Sequence, residues 1–170
     1  MQPRSYLVFK WIVYSLATSL LLIFQSLVLS QVEVRGLTPF LYPMLPAIVA
    51  MYEGRRSGSI FALIFGVLCG LLLPAPFPGF FALAFPAAAL LSAWVTQRLL
   101  SHGFLCGLLV SALALALTGG FRILVQALSG GAFLDLMARV ALGEALLTLP
   151  AALLALPLYR AVHRRCSAEY

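Results

Sequence analysis

Apolar residues run along this chain in long stretches, and polar residues gather in short clusters between them. Six stretches read as membrane spans, at about 11–29, 39–51, 57–73, 80–95, 104–128 and 133–158. A helix needs roughly 20 mostly apolar residues to cross the bilayer core, and the second stretch falls short of that. It also carries Pro39, Pro43 and Pro46. Prolines at that spacing remove backbone donors and bend a helix, so the segment is expected to be kinked, tilted or partly re-entrant. Such backbone must be covered by protein within a membrane. The third stretch ends at Pro74-Ala75-Pro76-Phe77-Pro78-Gly79, and Ser129-Gly130-Gly131 separates the fifth from the sixth. The fold class that follows is an all-α polytopic membrane protein of about six helices, forming a single transmembrane domain over 1–170.

Composition agrees with the pattern. The chain has 170 residues, 63% hydrophobic and 9% charged, whereas soluble domains carry about 25% charged residues. Loops of a few residues leave no room for a soluble catalytic domain. The first stretch follows Arg4 and Lys10 as a signal peptide would, but it is too long and ends in Ser30-Gln31-Val32-Glu33 without a small-x-small cleavage site, so it reads as a retained span. Trp11 and Tyr14 stand at its start as interfacial anchors.

Charge orients the bundle. With six spans, Arg4, Lys10, Arg55, Arg56, Arg98, Arg160, Arg164 and Arg165 share one side, and the other side keeps Arg35 beside Glu33. The positive-inside rule then places both termini in the cytoplasm. The net charge of +6 is accounted for by basic loops beside anionic lipid and calls for no nucleic acid.

Small residues form two rows. Gly58, Ala62, Gly66 and Gly70 recur at every fourth position of the third span, which gives a smooth ridge suited to close helix packing or to binding a partner helix. Gly103, Gly107 and Ser111, continued by Gly119, make a second row on the fifth.

Four polar residues inside the last two spans form a candidate intramembrane cluster: Arg122, Gln126, Arg139 and Glu144. Glu144 is the deepest acid, and at about 100° per residue it points nearly opposite to Asp135. Such a group should face the bundle or a wet cavity, with Arg122 or Arg139 as counter-charge. A pair of this kind opens an outward ligand pocket or proton-linked switch, or it locks the fifth and sixth helices together; isolated pairs more commonly do the latter. Asp135 and Arg139, four residues apart at a helix start, suit a local surface pair.

The sequence suggests no catalytic constellation, metal site or cofactor. Cys69, Cys106 and Cys166 lack metal-ligand spacing, His102 and His163 have no acid placed in sequence to orient them, and no nucleotide fingerprint occurs. The phenylalanines of Phe77-Pro78-Gly79-Phe80-Phe81 read as an outer interfacial belt, or as the cover of an outer pocket.

Three stretches carry a family likeness: Tyr52-Glu53-Gly54-Arg55-Arg56-Ser57-Gly58, the run from Phe65 to Leu72, and the closing Leu153-Leu154-Ala155-Leu156-Pro157-Leu158-Tyr159-Arg160 with its basic tail. In their order and in chain length the sequence resembles the MreD family of rod-shape membrane proteins. MreD chains usually place an Asp after the Gly-Leu-Leu run, where this chain has Pro74, so no role tied to that acid carries over. The resemblance implies a non-enzymatic component of the elongation machinery in the bacterial cytoplasmic membrane, binding MreC, with RodA, a penicillin-binding transpeptidase and MreB in the wider complex. The architecture is also similar to the substrate-binding S-components of energy-coupling-factor vitamin transporters. That likeness would make Arg122, Gln126, Arg139 and Glu144 a pocket and the glycine ridge a docking face.

Overall fold

The computed structural model describes residues 4–31, 33, 36–99, 103–130 and 133–167. Arg35, His102 and the side chain of Cys166 lie outside what is described. Among the described residues the chain is all-helical: α1 Arg4–Leu27, a 3-10 turn Leu29–Gln31, α2 Met44–Glu53, α3 Arg55–Leu72, α4 Phe80–Leu99, α5 Phe104–Leu128 and α6 Leu134–Ser167. All of these except the turn and α2 contain a stretch long and apolar enough to cross a membrane.

The second segment resolves into two unlike halves. Its helix is 10 residues long, or about 15 Å, half the thickness of a bilayer core. Pro39 stays in extended chain, Pro43 takes the N-cap position, and Pro46 falls in the first turn, where a missing N–H costs no intrahelical bond. The prolines therefore delay the helix rather than bend it. Residues Met44 to Met51 are all buried, because α3, α4, α5 and α6 pack around α2. A short helix that is apolar on every side is stable in such surroundings.

At its other end α2 passes straight into α3 through Gly54, whose φ of +82° lies in the left-handed region and whose N–H reaches the Ala50 carbonyl at 3.0 Å. Only glycine adopts that conformation without strain. The charged turn is thus a one-residue elbow, and it brings the face of α3 back against α2.

That face is the small-residue ridge. A Cβ at Gly58 would collide with Ala50 of α2, and one at Gly66 with the Phe81 carbonyl of α4, while Ala62 between them is fully buried. Gly70 alone of the four meets nothing. In the second row, Gly107 lies under the Leu156 side chain of α6, Gly119 faces Ala141, and Ser111 is buried with its hydroxyl donating to the Gly107 carbonyl at 2.8 Å. Gly103 is the exposed N-cap of α5. Gly58, Ala62, Gly66 and Gly107 are therefore filled by this chain's own helices.

Two aromatic expectations change. Phe80 and Phe81 are core residues, not an interfacial belt: they pack on Phe121 and Phe85, with Phe77 half-buried beside them. Tyr14 is also fully buried rather than anchored in the interface. Both corrections have one cause, since the inner faces of α1 and α4 present these rings to neighbours that the linear pattern does not show.

Candidate functional site

Interior polar side chains tie separate segments of the chain together, most extensively at three places. The first lies where the start of α1, the end of α2 and the last turns of α6 meet, so these three chain positions share one membrane side. Glu53, with only 7% of its side chain exposed, accepts a hydrogen bond from the Tyr14 hydroxyl at 2.8 Å and pairs with Lys10 Nζ at 2.5 Å. His163 Nδ1 stands 3.5 Å from the same carboxylate, and its ring stacks on Tyr52 with centroids 5.1 Å apart. Deeper along α1, the Thr18 hydroxyl gives its only proton to the Tyr14 carbonyl at 2.8 Å. Tyr159 must then be the donor in the 2.7 Å contact between the two hydroxyls. The expectation that no acid accompanies His163 is corrected here. Glu53 is 110 positions away in sequence, and only the return of α6 beside α2 brings the two together.

The second tie holds the unwound chain before α2. Gln25, buried on α1, donates to the Pro39 carbonyl at 2.6 Å and accepts from the Leu41 N–H at 3.3 Å. Its amide thus imitates one rung of a strand pair. From the other side Thr148 accepts the Phe40 N–H at 2.8 Å and donates to the Glu144 carbonyl at 2.6 Å. Backbone that leaves a helix within a bilayer has no water to satisfy it, and these two side chains supply the missing partners. No local signal marks Gln25 or Thr148 in the sequence beyond their being polar within apolar runs.

The third tie belongs to the expected cluster, of which only a pair survives. Arg122 of α5 donates to Glu144 of α6 at 3.3 Å. Arg139 instead bonds Asp135 at 2.9 Å on the exposed start of α6, and Gln126 joins neither pair. The space beside Arg122 and Glu144 amounts to about 20 Å³, room for about one water. Among the described residues, Ser92 Oγ is the only buried side-chain nitrogen or oxygen without a hydrogen-bond partner. None of them gather into a group of three or more His, Cys, Asp or Glu able to hold a metal ion.

A much larger cavity lies elsewhere. Between α1 and α3 a groove of about 640 Å³ opens sideways from the bundle. Ser15, Ser19 and Leu22 line it from α1, and Ile60, Ile64 and Leu68 line it from α3. Trp11 stacks on Phe61 at 5.9 Å near the end of the groove where α1 and α3 begin. The groove exists because α1 packs chiefly on α6 and only loosely on its other neighbours.

The helices and their interhelical ties define a polytopic helical membrane protein. No family model, curated protein or solved structure matches the chain.

Proposed function

We propose that this protein is a non-enzymatic integral scaffold of the rod-shape and cell-elongation machinery in the bacterial cytoplasmic membrane. In this reading it binds MreC and supports peptidoglycan synthesis, with RodA, a penicillin-binding transpeptidase and MreB in the wider assembly. One observation supports the scaffold reading: the buried Glu53 and Gln25, with Tyr14, Thr148 and Tyr159, are engaged in tying separate segments of the chain together. The specific machinery rests on the resemblance of the Tyr52 to Gly58 turn, the Phe65 to Leu72 run and the closing basic segment.

Because Gly58 and Gly66 are filled from within, a partner helix is offered the outer face of α3 instead. There Leu63, Val67 and Leu71 are exposed around the open position Gly70. The vitamin-binding alternative draws little support, since small-molecule sites are about 300–1,000 Å³, whereas the space between Arg122 and Glu144 is about 20 Å³ and a neighbouring one lined by Arg122 about 180 Å³.

The test is affinity purification of the full chain from native membranes, with identification of retained proteins and small molecules. Recovery of a single-span shape protein, weakened by Gly70→Leu at unchanged thermal stability, is the expected result. Recovery of a vitamin together with ABC ATPases would overturn the reading.

A further inference from the structure

The groove between α1 and α3 has a polar, basic end and an apolar length. At the cytoplasmic rim Lys10 precedes Trp11, and Arg55 and Arg56 precede Ser57, with Trp11 and Ser57 both lining the groove. Lys10 is neutralised by Glu53. Arg55 and Arg56 are exposed, make no salt bridge among the described residues and stand one and two residues before the groove-lining Ser57, which puts two uncompensated positive charges beside this mouth.

Further in, Ser15 and Ser19 stand about one and two helical turns beyond Trp11. Among the described residues neither hydroxyl has a hydrogen-bond partner, whereas Thr18 and Ser26 on the same helix donate to their own backbone. The rest of the lining is mostly apolar, through Ile64, Leu68, Leu22 and Leu72, with Ser26 and Tyr42 also on it.

Size narrows the occupant. A helix of 18 residues, about 27 Å long and 10 Å across, fills roughly 2,000 Å³, so in a groove of about 640 Å³ it could bury only one side. Acyl tails are slender enough to enter.

We propose that this groove is a binding site for one anionic phospholipid. Its phosphate sits at the cytoplasmic mouth opposite Arg55 and Arg56. Its tails run inward along Ile64, Leu68 and Leu22. Charge complementarity selects the headgroup, and the apolar walls hold the tails. The site would fill the gap beside α1 and thereby complete the bundle, whichever assembly the protein joins.

The experiment is native mass spectrometry and thermal unfolding of the full chain. It is delipidated and then exchanged into vesicles of phosphatidylcholine alone or phosphatidylcholine with phosphatidylglycerol. One phosphatidylglycerol should be retained in preference to phosphatidylcholine, with a raised thermal midpoint. Removing both charges by Arg55→Gln with Arg56→Gln should weaken retention about 30-fold, at about 1 kcal/mol per basic residue. Ser19→Phe, which occupies the groove, should abolish retention without disturbing the buried core. Arg164→Gln with Arg165→Gln removes equal charge at the end of α6 and should leave retention unchanged. Equal retention of the two lipids, an equal loss in the α6 variant, or full retention in Ser19→Phe would each overturn the proposal.

Discussion

The Tyr14 hydroxyl lies 2.8 Å from Glu53 Oε1, and through that bond the first helix is fastened to the buried half-helix at the centre of the bundle. The Tyr14 ring stacks on Tyr159 of α6 at 6.2 Å, so one residue of α1 joins both neighbours. Since α1 flanks an open groove for much of its length, this contact and the Lys10 ion pair bear on its placement more than apolar packing alone.

Tyr14→Phe is expected to lower stability by about 1.5–3 kcal/mol, the worth of a hydrogen bond to a charged acceptor. It should leave the Thr18 and Tyr159 contact intact, because that contact uses the Tyr14 backbone. Glu53→Leu strands Lys10 and leaves the Tyr14 hydroxyl only its 3.5 Å contact with His163 Nδ1 among its known side-chain contacts, and should cost about 3–5 kcal/mol. Unfolding in mixed detergent measures both; a Glu53→Leu variant no less stable than Tyr14→Phe would show that the Lys10 pair contributes nothing.

Gln25→Leu should be among the most damaging single changes on α1 although it adds only apolar surface. It removes the partners of the Pro39 carbonyl and the Leu41 N–H at once, and each orphaned group costs about 1–3 kcal/mol. Gln25→Glu keeps the acceptor for Leu41 but loses the donor to Pro39, so an intermediate thermal midpoint is expected. Equal midpoints for Gln25→Leu and wild type would mean that this backbone finds other partners.

Along α3, the same substitution should act oppositely at two glycines. Gly66→Leu drives a side chain into the Phe81 backbone and separates α3 from α4, a clash with no flexible neighbour to absorb it. Loss of folded protein on size-exclusion chromatography is expected. Gly70→Leu meets open space and should change stability by no more than about 0.5 kcal/mol. Gly107→Ala should be milder than Gly66→Leu, since the obstacle there is the far end of the Leu156 side chain.

Glu144→Gln should be nearly silent, within about 1 kcal/mol, because its amide oxygen still accepts from Arg122 across a pair whose side chains are 38% and 23% exposed. Glu144→Leu leaves Arg122 without a counter-charge and should be the more destabilising of the two. Growth and cell shape across external pH give a second readout. A pH-dependent defect in Glu144→Gln would point to proton-linked function rather than to a tie between α5 and α6.

Hydropathy, proline placement and arginine distribution are properties of short windows of sequence, and they determined a great deal here. They marked all six segments, the irregular second one, and the shared side of α1's start and α6's end. They also showed that helices pack closely at Gly58, Ala62 and Gly66, since only small residues allow such approach. Tertiary structure decided what those features touch. Glu53 looks like a surface turn residue until α1 and α6 close over it, and Gln25 looks incidental until the extended chain at Pro39 and Leu41 runs past it. Thr148 meets Phe40 across 108 positions, a distance no local pattern spans. Whether a residue lies in a membrane depends on the summed apolarity of its neighbours in the chain; which polar group satisfies another depends on directional contacts within a few ångströms, and only the packed helices create those.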